Sequence, residues 1–195
     1  ADSVQEARAR YERAIEFYED GEYDAALVEF TRAYELNPSY RLTYNIGQTR
    51  LAMRDYAGAM EAFTHYLDEG ANRIPPKRRE AVRAQLDSLE QRVGRLTIET
   101  DVPDSELLVD DAVVGRSPLT AAVVVNAGVR RVTAHHPDYP AQSQRVSVAG
   151  GEHPRVALQL SDRTREAAVA HVAAEPVQQP PTALTPEASA ATQSD

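Results

Sequence analysis

The sequence predicts separate α-helical and β domains: helical hairpins and a capping helix come first, and a small antiparallel β-sandwich follows. Two observations predict this fold class. A motif with a period of about 33–34 residues, carrying Ala-x-x-x-Phe on a helix, occurs twice in the first part of the chain. From Gly94 onwards, apolar residues instead alternate with polar ones at a period of two, which is typical of strands.

The repeated motif predicts two helical hairpins over residues 1–72. Its copies share a turn, a small residue and a phenylalanine: Gly21-Glu22-Tyr23, Ala26 and Phe30, then Asp55-Tyr56, Ala59 and Phe63. Helices are predicted over about 4–20, 40–53 and 56–68, and another between Asp24 and the Asn37-Pro38-Ser39 segment that ends it. Gly21 ends the first helix because glycine adopts the left-handed conformation at low cost, and Asp24 is predicted to cap the second.

Residues 73–94 are predicted to form a capping helix. Pro75 and Pro76 open it, and an apolar stripe runs along one face through Val82, Leu86, Leu89 and Val93. The opposite face is highly charged. One apolar stripe and one solvated face are what the terminal helix of a repeat stack requires.

Residues 95–160 read as six or seven short strands, which predicts a small antiparallel β-sandwich. Turn residues separate the strands, at Pro103-Asp104-Ser105, Asp110-Asp111, Gly115, Asn126-Ala127-Gly128, Pro137-Asp138 and Gly150-Gly151. Residues 161–195 are rich in Pro, Ala, Thr and Gln and poor in large apolar side chains. This composition predicts a disordered tail.

Residues 4–72 resemble the tetratricopeptide repeat. The second unit carries the closer likeness, with residues 44–48 (Tyr-Asn-Ile-Gly-Gln) similar to the start of the family's first helix and residues 55–56 similar to its turn. The first unit departs from the pattern, since Arg10 replaces a large aromatic residue and Arg13 replaces a leucine. The first repeat of a stack lacks a neighbour on one side, so polar residues are expected there.

The β half resembles the PEGA domain, a small module of bacterial surface and envelope proteins. The likeness lies in Pro103-Asp104-Ser105-Glu106, Leu107-Leu108-Val109-Asp110, Val114-Gly115-Arg116-Ser117-Pro118-Leu119, Ala127-Gly128 and Pro137-Asp138-Tyr139. Ser105 and Glu106 stand in place of the Gly and Ala that name the motif, and Asp111 replaces a usual turn glycine.

Composition excludes several classes of protein and favours export. The net charge of −9 argues against a nucleic-acid binder, and the absence of cysteine removes disulfides and thiolate chemistry. No apolar run reaches the roughly 18–20 residues that a membrane span needs. The chain starts at Ala1 without a methionine, so it is either a processed mature form or a shortened chain. Its small first residue fits signal-peptide removal and favours a periplasmic or cell-envelope location.

The tetratricopeptide resemblance implies a peptide-binding groove lined by the first helix of each hairpin. The corresponding positions here are Arg8, Tyr11, Ile15, Tyr18, Arg41, Tyr44, Gln48 and Leu51. Spacings of three and four residues place each set of four on one helix face, and Arg and Tyr are enriched at binding hot spots. The alternative is that the tyrosine rings pack internally against the capping helix or the β domain.

The sequence predicts no catalytic residues, no metal and no cofactor. His135 and His136 are adjacent on a strand, so their side chains point to opposite faces and do not converge on one ion. The acids Asp104, Glu106, Asp110 and Asp111 are candidates for calcium, but they lack regular loop spacing, and Asp is also an ordinary turn residue. Ser117 lies before Pro118 in a turn and has no nucleophile motif around it.

These features together predict a non-enzymatic exported adaptor. Its groove would bind a protein segment, while the β domain would hold the groove away from the cell surface or contact another envelope component. The alternative is a structural or cell-wall-glycan-contacting envelope protein whose helical half mediates self-association. The chain is expected to bind no nucleic acid and to carry no membrane span.

Overall fold

The computed structural model describes residues 2–161, which form a helical region followed by a β region, as the predicted fold class requires. The helices are α1 (Asp2–Glu19), α2 (Tyr23–Leu36), α3 (Tyr40–Ala52), α4 (Tyr56–Gly70) and α5 (Pro76–Glu90), with a single 3-10 turn at Ala71–Arg73. None of the described helices is long and apolar enough to cross a membrane. Apart from Ser161, the predicted disordered tail lies outside the described residues.

Each helical hairpin closes around small residues that let two helices approach. Ala14 and Ala26 are fully buried between α1 and α2, where Phe30 fills the remaining space. In the second hairpin, a Cβ atom added at Gly47 would lie 2.6 Å from the Phe63 ring, so α3 and α4 meet too closely for any side chain at this position. The doubled Ala-x-x-x-Phe pattern therefore marks the two contact points between paired helices.

The ends of the helices match the predicted turns, with one exception. Gly21 has a φ of 79° after α1, and the Asp55 side chain caps α4 by accepting a hydrogen bond from the Gly58 amide at 3.0 Å. The prediction that Asp24 caps α2 is wrong, because Glu22 occupies the cap position and makes no side-chain capping bond. Asp24 lies within the first turn, where its negative charge still interacts favourably with the helix dipole.

The capping helix ends earlier than its apolar stripe predicts. α5 stops at Glu90, and Val93 is the first residue of a strand rather than the last of the helical stripe. The side chain of Val93 is nevertheless fully buried in the same cluster as Val82 and Leu89. Val93 therefore belongs to the same core as the helical stripe, although its backbone is part of a strand.

The β region consists of two sheets packed around a shared core. Its strands are β1 (Val93–Thr100), β2 (Glu106–Val109), β3 (Ala112–Arg116), β4 (Val123–Asn126), β5 (Gly128–His136), β6 (Tyr139–Val148) and β7 (Arg155–Leu158). One sheet has the order β4-β1-β7 and the other β3-β2-β5-β6. Leu96, Leu107, Val132 and Val156 are buried between the two sheets.

One strand pair departs from the predicted antiparallel arrangement. β1 and β7 run parallel, with Thr97 opposite Arg155 and Thr100 opposite Leu158. Alternating apolar residues predict that each segment is a strand with one buried face, but this alternation is the same for both strand directions. The direction of β7 is therefore a property of the chain path, which leaves the second sheet after β6 and returns to the first.

The helical and β regions share a packed junction. The Asn126 side chain in β4 accepts a hydrogen bond from the Ala57 amide at 2.7 Å and donates one to the Arg54 carbonyl at 3.4 Å. The Ala57 amide lies in the first turn of α4, where backbone donors lack partners within the helix. The β domain thus satisfies a donor at the end of a helix and is held against the second hairpin.

A second set of contacts holds the point where α5 passes into β1. The Arg95 guanidinium donates two hydrogen bonds to the Glu90 carboxylate, at 2.7 and 2.8 Å. These bonds hold the pKa of Glu90 below its ordinary value, although desolvation of the carboxylate opposes the shift. A bidentate pair of this kind fixes the orientation of both side chains.

The Glu90–Arg95 pair predicts a pH dependence of stability. Because the pKa of folded Glu90 is lowered, the pair stabilises the protein above the ordinary glutamate pKa of 4.5, and this contribution is lost as the pH falls through the lower, folded value. Glu90→Gln is expected to cost less than about 1 kcal/mol at neutral pH, since both groups are partly exposed. Thermal unfolding of Glu90→Gln and of the unmodified protein is measured from neutral to acid pH. The difference between their melting temperatures should shrink below pH 4.5.

The exposed Glu80 of the same helix provides the matched control. Glu80→Gln should leave the melting temperature nearly unchanged over this pH range. If the difference in melting temperature between Glu90→Gln and the unmodified protein stays constant at acid pH, the assigned ion pair is contradicted.

Candidate functional site

A groove lies between α1 and α3, and it contains two neighbouring cavities. The first has a volume of about 270 Å³. Its walls are Val4, Ala7, Arg8 and Tyr11 of α1, Asn37 and Ser39 of the connection between α2 and α3, and Arg41, Leu42 and Asn45 of α3. Val4 and Tyr11 are 55% and 39% exposed, so this cavity presents apolar surface to solvent.

The second cavity lies further along the same two helices and measures about 170 Å³. It is lined by Ile15 and Tyr18 of α1, Asn45 and Gln48 of α3, and Phe30 of α2. Asn45 belongs to the walls of both cavities, which therefore lie next to each other along this face.

The structure brings together six of the eight predicted groove residues. Arg8, Tyr11 and Arg41 lie in the first cavity, and Ile15, Tyr18 and Gln48 lie in the second. The remaining two, Tyr44 and Leu51, pack instead against the cluster formed by α4 and α5. The role of the eight residues in ligand binding stays a prediction.

Helix geometry explains why α3 divides its predicted set. Successive residues turn by about 100°, so Arg41, Asn45 and Gln48 lie within roughly 60° of one another and face α1. Tyr44 and Leu51 lie roughly 60–80° to one side of Arg41, which turns them towards α5. Spacings of three and four residues define a broad helix face. Because α3 has neighbours on both sides, part of this face contacts α1 and the rest contacts α4 and α5.

Tyr44 is held by contacts that link α3 to α5. Its hydroxyl accepts hydrogen bonds from Gln48 at 2.7 Å and from Arg78 at 3.1 Å. Its ring centroid lies 5.8 Å from that of Phe63 and 5.2 Å from that of Tyr66. Tyr44 therefore supports the wall of the groove from behind, which corresponds to the internal packing that the sequence left as the alternative.

Asn45 is a groove residue that the sequence prediction missed. The family resemblance assigns Tyr44 and Gln48 to the groove, and Asn45 lies between them in sequence. Counting one full turn from Arg41 would have found it, since residues four apart on a helix lie on the same face. Its side-chain amide offers both donors and acceptors to a bound backbone.

The arginines of α1 are engaged with acids, whereas Arg41 on the α3 side of the groove has no acidic partner among residues 2–161. Arg8 pairs with Glu12 at 2.9 Å, and both Arg10 and Arg13 reach Glu29 of α2, at 3.4 and 3.0 Å. Hydrogen bonding to Glu6 raises the pKa of Arg10 above its ordinary value. The two arginines that depart from the repeat pattern thus join α1 to α2 through polar contacts.

The residues weighed as catalytic or metal-binding have structural contacts. The Ser117 hydroxyl donates to the Val102 carbonyl at 2.9 Å and accepts from the Ser105 amide at 3.0 Å. Asp110 and Asp111 both have a positive φ in the β2–β3 turn, and their carboxylates pair with Arg130 and Arg131. Within residues 2–161, no three acidic or histidine side chains are grouped so as to hold a metal ion.

Asp101 links the end of β1 to the residues that follow β7. Its carboxylate accepts hydrogen bonds from the Leu160 amide at 2.8 Å and from the Ser161 amide at 3.1 Å, and also from the Ser161 hydroxyl. Desolvation disfavours the charged form, but these hydrogen bonds outweigh it and lower the pKa of Asp101. The last described residues after β7 are thereby tied to the end of β1.

The comparison with known families identifies the β half of the chain. Residues 93–164 match the family model of the PEGA domain, and this stretch begins at the first residue of β1. No curated protein matches the chain. The resemblance of residues 4–72 to the tetratricopeptide repeat stays a prediction. The chain thus carries a helical region followed by a domain similar to the PEGA domain, a module usual in extracellular and periplasmic proteins and indicative of association with the cell envelope.

Proposed function

We propose that this protein is a non-enzymatic adaptor of the cell envelope that holds a segment of another protein in the groove between α1 and α3. The PEGA-like domain would act as an envelope-facing spacer or contact module. The location that we propose is extracytoplasmic, after removal of a signal peptide. No catalytic group, metal or cofactor takes part in this function.

The observation that carries the proposal is the pair of exposed apolar side chains in the first cavity. Residues 2–161 include five large apolar residues that are well exposed, namely Val4, Tyr11, Val28, Val113 and Val129. Val4 and Tyr11 line the same cavity. Burying apolar surface against a ligand contributes about 25 cal/mol per Å², and a concave site allows this burial on several sides.

The dimensions of the groove favour a short segment over a folded surface. Its two cavities, of about 270 and 170 Å³, would each take a small number of side chains. Asn45 stands between them, within reach of a ligand backbone that follows the groove. The resemblance of residues 4–72 to tetratricopeptide repeats, whose first helices hold peptides, supports the same kind of ligand.

The packed junction supports the role proposed for the β domain. Asn126 bonds to the first turn of α4, and Val93 and Val124 join the apolar cluster of the second hairpin. A domain that shares a core with the helices would hold the groove at a defined orientation. A free linker would leave that orientation unspecified.

A site-specific crosslinking experiment tests the groove. A photoreactive phenylalanine analogue is placed at Tyr11, inside the groove, or at Val28, which is 57% exposed on α2 and outside both cavities. We expect irradiation in cells to give discrete protein adducts from position 11 only. Combining the analogue with Asn45→Ala should reduce those adducts about tenfold if the loss of two hydrogen bonds weakens binding.

Two results would overturn the proposal. One is the same set of adducts from positions 11 and 28, which would indicate non-specific collision. The other is retention of the protein on purified cell-wall material with no effect of Tyr11→Ala or Asn45→Ala. That second result would favour the structural or glycan-contacting alternative, and analytical ultracentrifugation of the same variants would test the self-association that it requires.

A further inference from the structure

A cluster of three tyrosines lies where α3, α4 and α5 meet, beside the groove and on the other side of Arg41. The ring centroid of Tyr66 is 5.7 Å from that of Tyr40 and 5.2 Å from that of Tyr44. Tyr66 is buried, and the other two rings are partly exposed. The three rings form an aromatic surface that is anchored in the core of the second hairpin.

Three arginines surround these rings. The guanidinium carbons of Arg41 and Arg73 lie 5.5 and 4.7 Å from the centroid of Tyr40, and that of Arg78 lies 5.0 Å from the centroid of Tyr44. These distances are typical of cation–π contact. Stacking on a ring occupies one face of each guanidinium and leaves N–H groups at its edge for another partner.

Arg41, Arg73 and Arg78, together with Tyr40 and Tyr44, are called the Arg–Tyr surface. Its arginines lack acidic partners in the part of the chain that the structure describes. Arg73 donates to the Glu69 backbone carbonyl and Arg78 to the Tyr44 hydroxyl, both uncharged acceptors. Of the other fifteen arginines among residues 2–161, nine form ion pairs.

The first turn of α5 adds to this positive charge instead of balancing it. Lys77, Arg78 and Arg79 follow Pro76 directly, and the turn holds no acidic residue. The positive end of the helix dipole lies there, so cations at these positions are unfavourable by a few tenths of a kcal/mol each. A concentration of unpaired cations that opposes local stability is expected where a ligand supplies the missing negative charge.

A polar cavity opens onto the same residues. It has a volume of about 550 Å³ and is lined by Pro38, Ser39, Tyr40, Arg41, Glu69 and Arg73. Glu69 is the acid in this wall, and its carboxylate accepts a hydrogen bond from the Tyr34 hydroxyl at 2.7 Å and lies 3.3 Å from His65. The Oε1 atom of Glu69 is therefore engaged by residues of α2 and α4, whereas its buried Oε2 atom has no hydrogen-bond partner among residues 2–161. With Arg41 and Arg73 against Glu69, the lining of the cavity is positively charged on balance.

We propose that the Arg–Tyr surface binds an acidic, carboxylate-rich peptide segment of a partner protein. Guanidinium groups match carboxylates in two-pronged geometry, and partly exposed tyrosines supply flat contact area and hydroxyl groups between the charges. The chain as a whole carries a charge of −9, which repels a long polyanion but allows a short acidic segment to meet the local positive surface. Arg41 lies at the boundary, since it also lines the first cavity of the α1–α3 groove, but Arg73, Arg78, Tyr40 and Tyr44 lie outside both cavities. This proposal therefore does not rest on binding in the groove.

Fluorescence anisotropy with a fluorescein-labelled oligoglutamate peptide and the full chain tests the proposal. We expect saturable binding that weakens as salt is raised, since exposed charges are screened. An oligolysine peptide of equal length should not bind. The double variant Arg73→Gln/Arg78→Gln should weaken oligoglutamate binding by about a hundredfold, because each arginine is expected to contribute about tenfold through its charge-assisted hydrogen bonds.

Matched variants separate this surface from general electrostatics and from loss of folding. Arg145→Gln removes an exposed arginine on β6 that has no acidic partner within residues 2–161, and it should leave the affinity unchanged. Arg41→Gln changes an exposed side chain without touching the core, and it should weaken binding about tenfold with an unchanged circular dichroism spectrum. Tyr11→Ala/Asn45→Ala in the groove should have no effect on oligoglutamate binding.

Four results would overturn the proposal. Equal weakening by Arg145→Gln would indicate non-specific attraction, and equal weakening by Tyr11→Ala/Asn45→Ala would place the peptide in the groove. Tighter binding of inorganic polyphosphate than of oligoglutamate at equal charge would identify a phosphate polymer as the ligand. Tighter binding of a synthetic peptide of residues 162–195, which carries its own acidic residues, would identify the chain's own tail as the occupant.

Discussion

Replacing Phe63 with alanine is expected to lower the free energy of unfolding by about 3–5 kcal/mol, towards the upper end of that range. The Phe63 side chain is fully buried between α3 and α4. Gly47 of α3 lies so close to the ring that there is no room for a side chain at that position. Because glycine has no side chain, nothing on that side can fill the space that the ring leaves. The melting temperature should fall by roughly 6–20 °C, measured by circular dichroism.

Val28→Ala is the matched control for this substitution. Val28 is 57% exposed on α2, and its truncation should change the free energy of unfolding by no more than about 0.5 kcal/mol. A loss below about 1 kcal/mol for Phe63→Ala would mean that the two helices do not pack around this ring.

Replacing Gly150 with alanine is expected to disrupt the junction between the helical and β regions. A Cβ atom at this position would overlap the backbone carbonyl group of Gln91, just beyond the end of α5. Backbone atoms cannot move aside as the end of a side chain can, so the cost should reach about 1–3 kcal/mol or more. Hydrogen exchange should accelerate at the Gly151 and Ala127 amides, which bond to the Val93 and Arg92 carbonyls.

Two neighbouring substitutions separate this clash from other effects. Ala149→Ser changes an exposed residue and should leave exchange at the junction unchanged. Gly151→Ala meets no atoms within 4 Å but forces a non-glycine residue to a φ of 75°. It should therefore destabilise the turn by about 1–2 kcal/mol without overlapping Gln91. Equal exchange rates in Gly150→Ala and the unmodified protein would contradict the close approach.

The helical hairpins were predictable because their signals are local. A turn glycine at 21, a capping Asp55 and an Ala-x-x-x-Phe spacing each act within one or two helical turns, so they appear directly in the sequence. The prediction that Asp24 caps α2 was wrong because the helix begins one residue before Asp24. The first residue of a helix depends on where the preceding turn ends. Local signals predict that a helix exists better than they predict its first residue.

The groove was predictable only in part, for a geometric reason. Six of its eight predicted residues line the α1–α3 cavities, but α3 has neighbours on two sides and turns Tyr44 and Leu51 towards α5. Periodicity defines which residues share a face, whereas the packing of α5 decides how that face is divided. Asn45 was missed for a different reason, because the family resemblance skips this position although it lies one helical turn after Arg41.

The sequence by itself determined the order of the domains, the paired helices, the strand character of residues beyond Gly94 and the likeness of the β half to the PEGA domain. Each of these depends on periodicity, turn residues or motif spacing, which are local properties. The tertiary structure alone decided that β7 runs parallel to β1, that Asn126 accepts a hydrogen bond from the first turn of α4, and that Arg41, Arg73 and Arg78 gather around Tyr40 and Tyr44. These contacts join residues far apart in the chain, and no local pattern records which distant surfaces will meet.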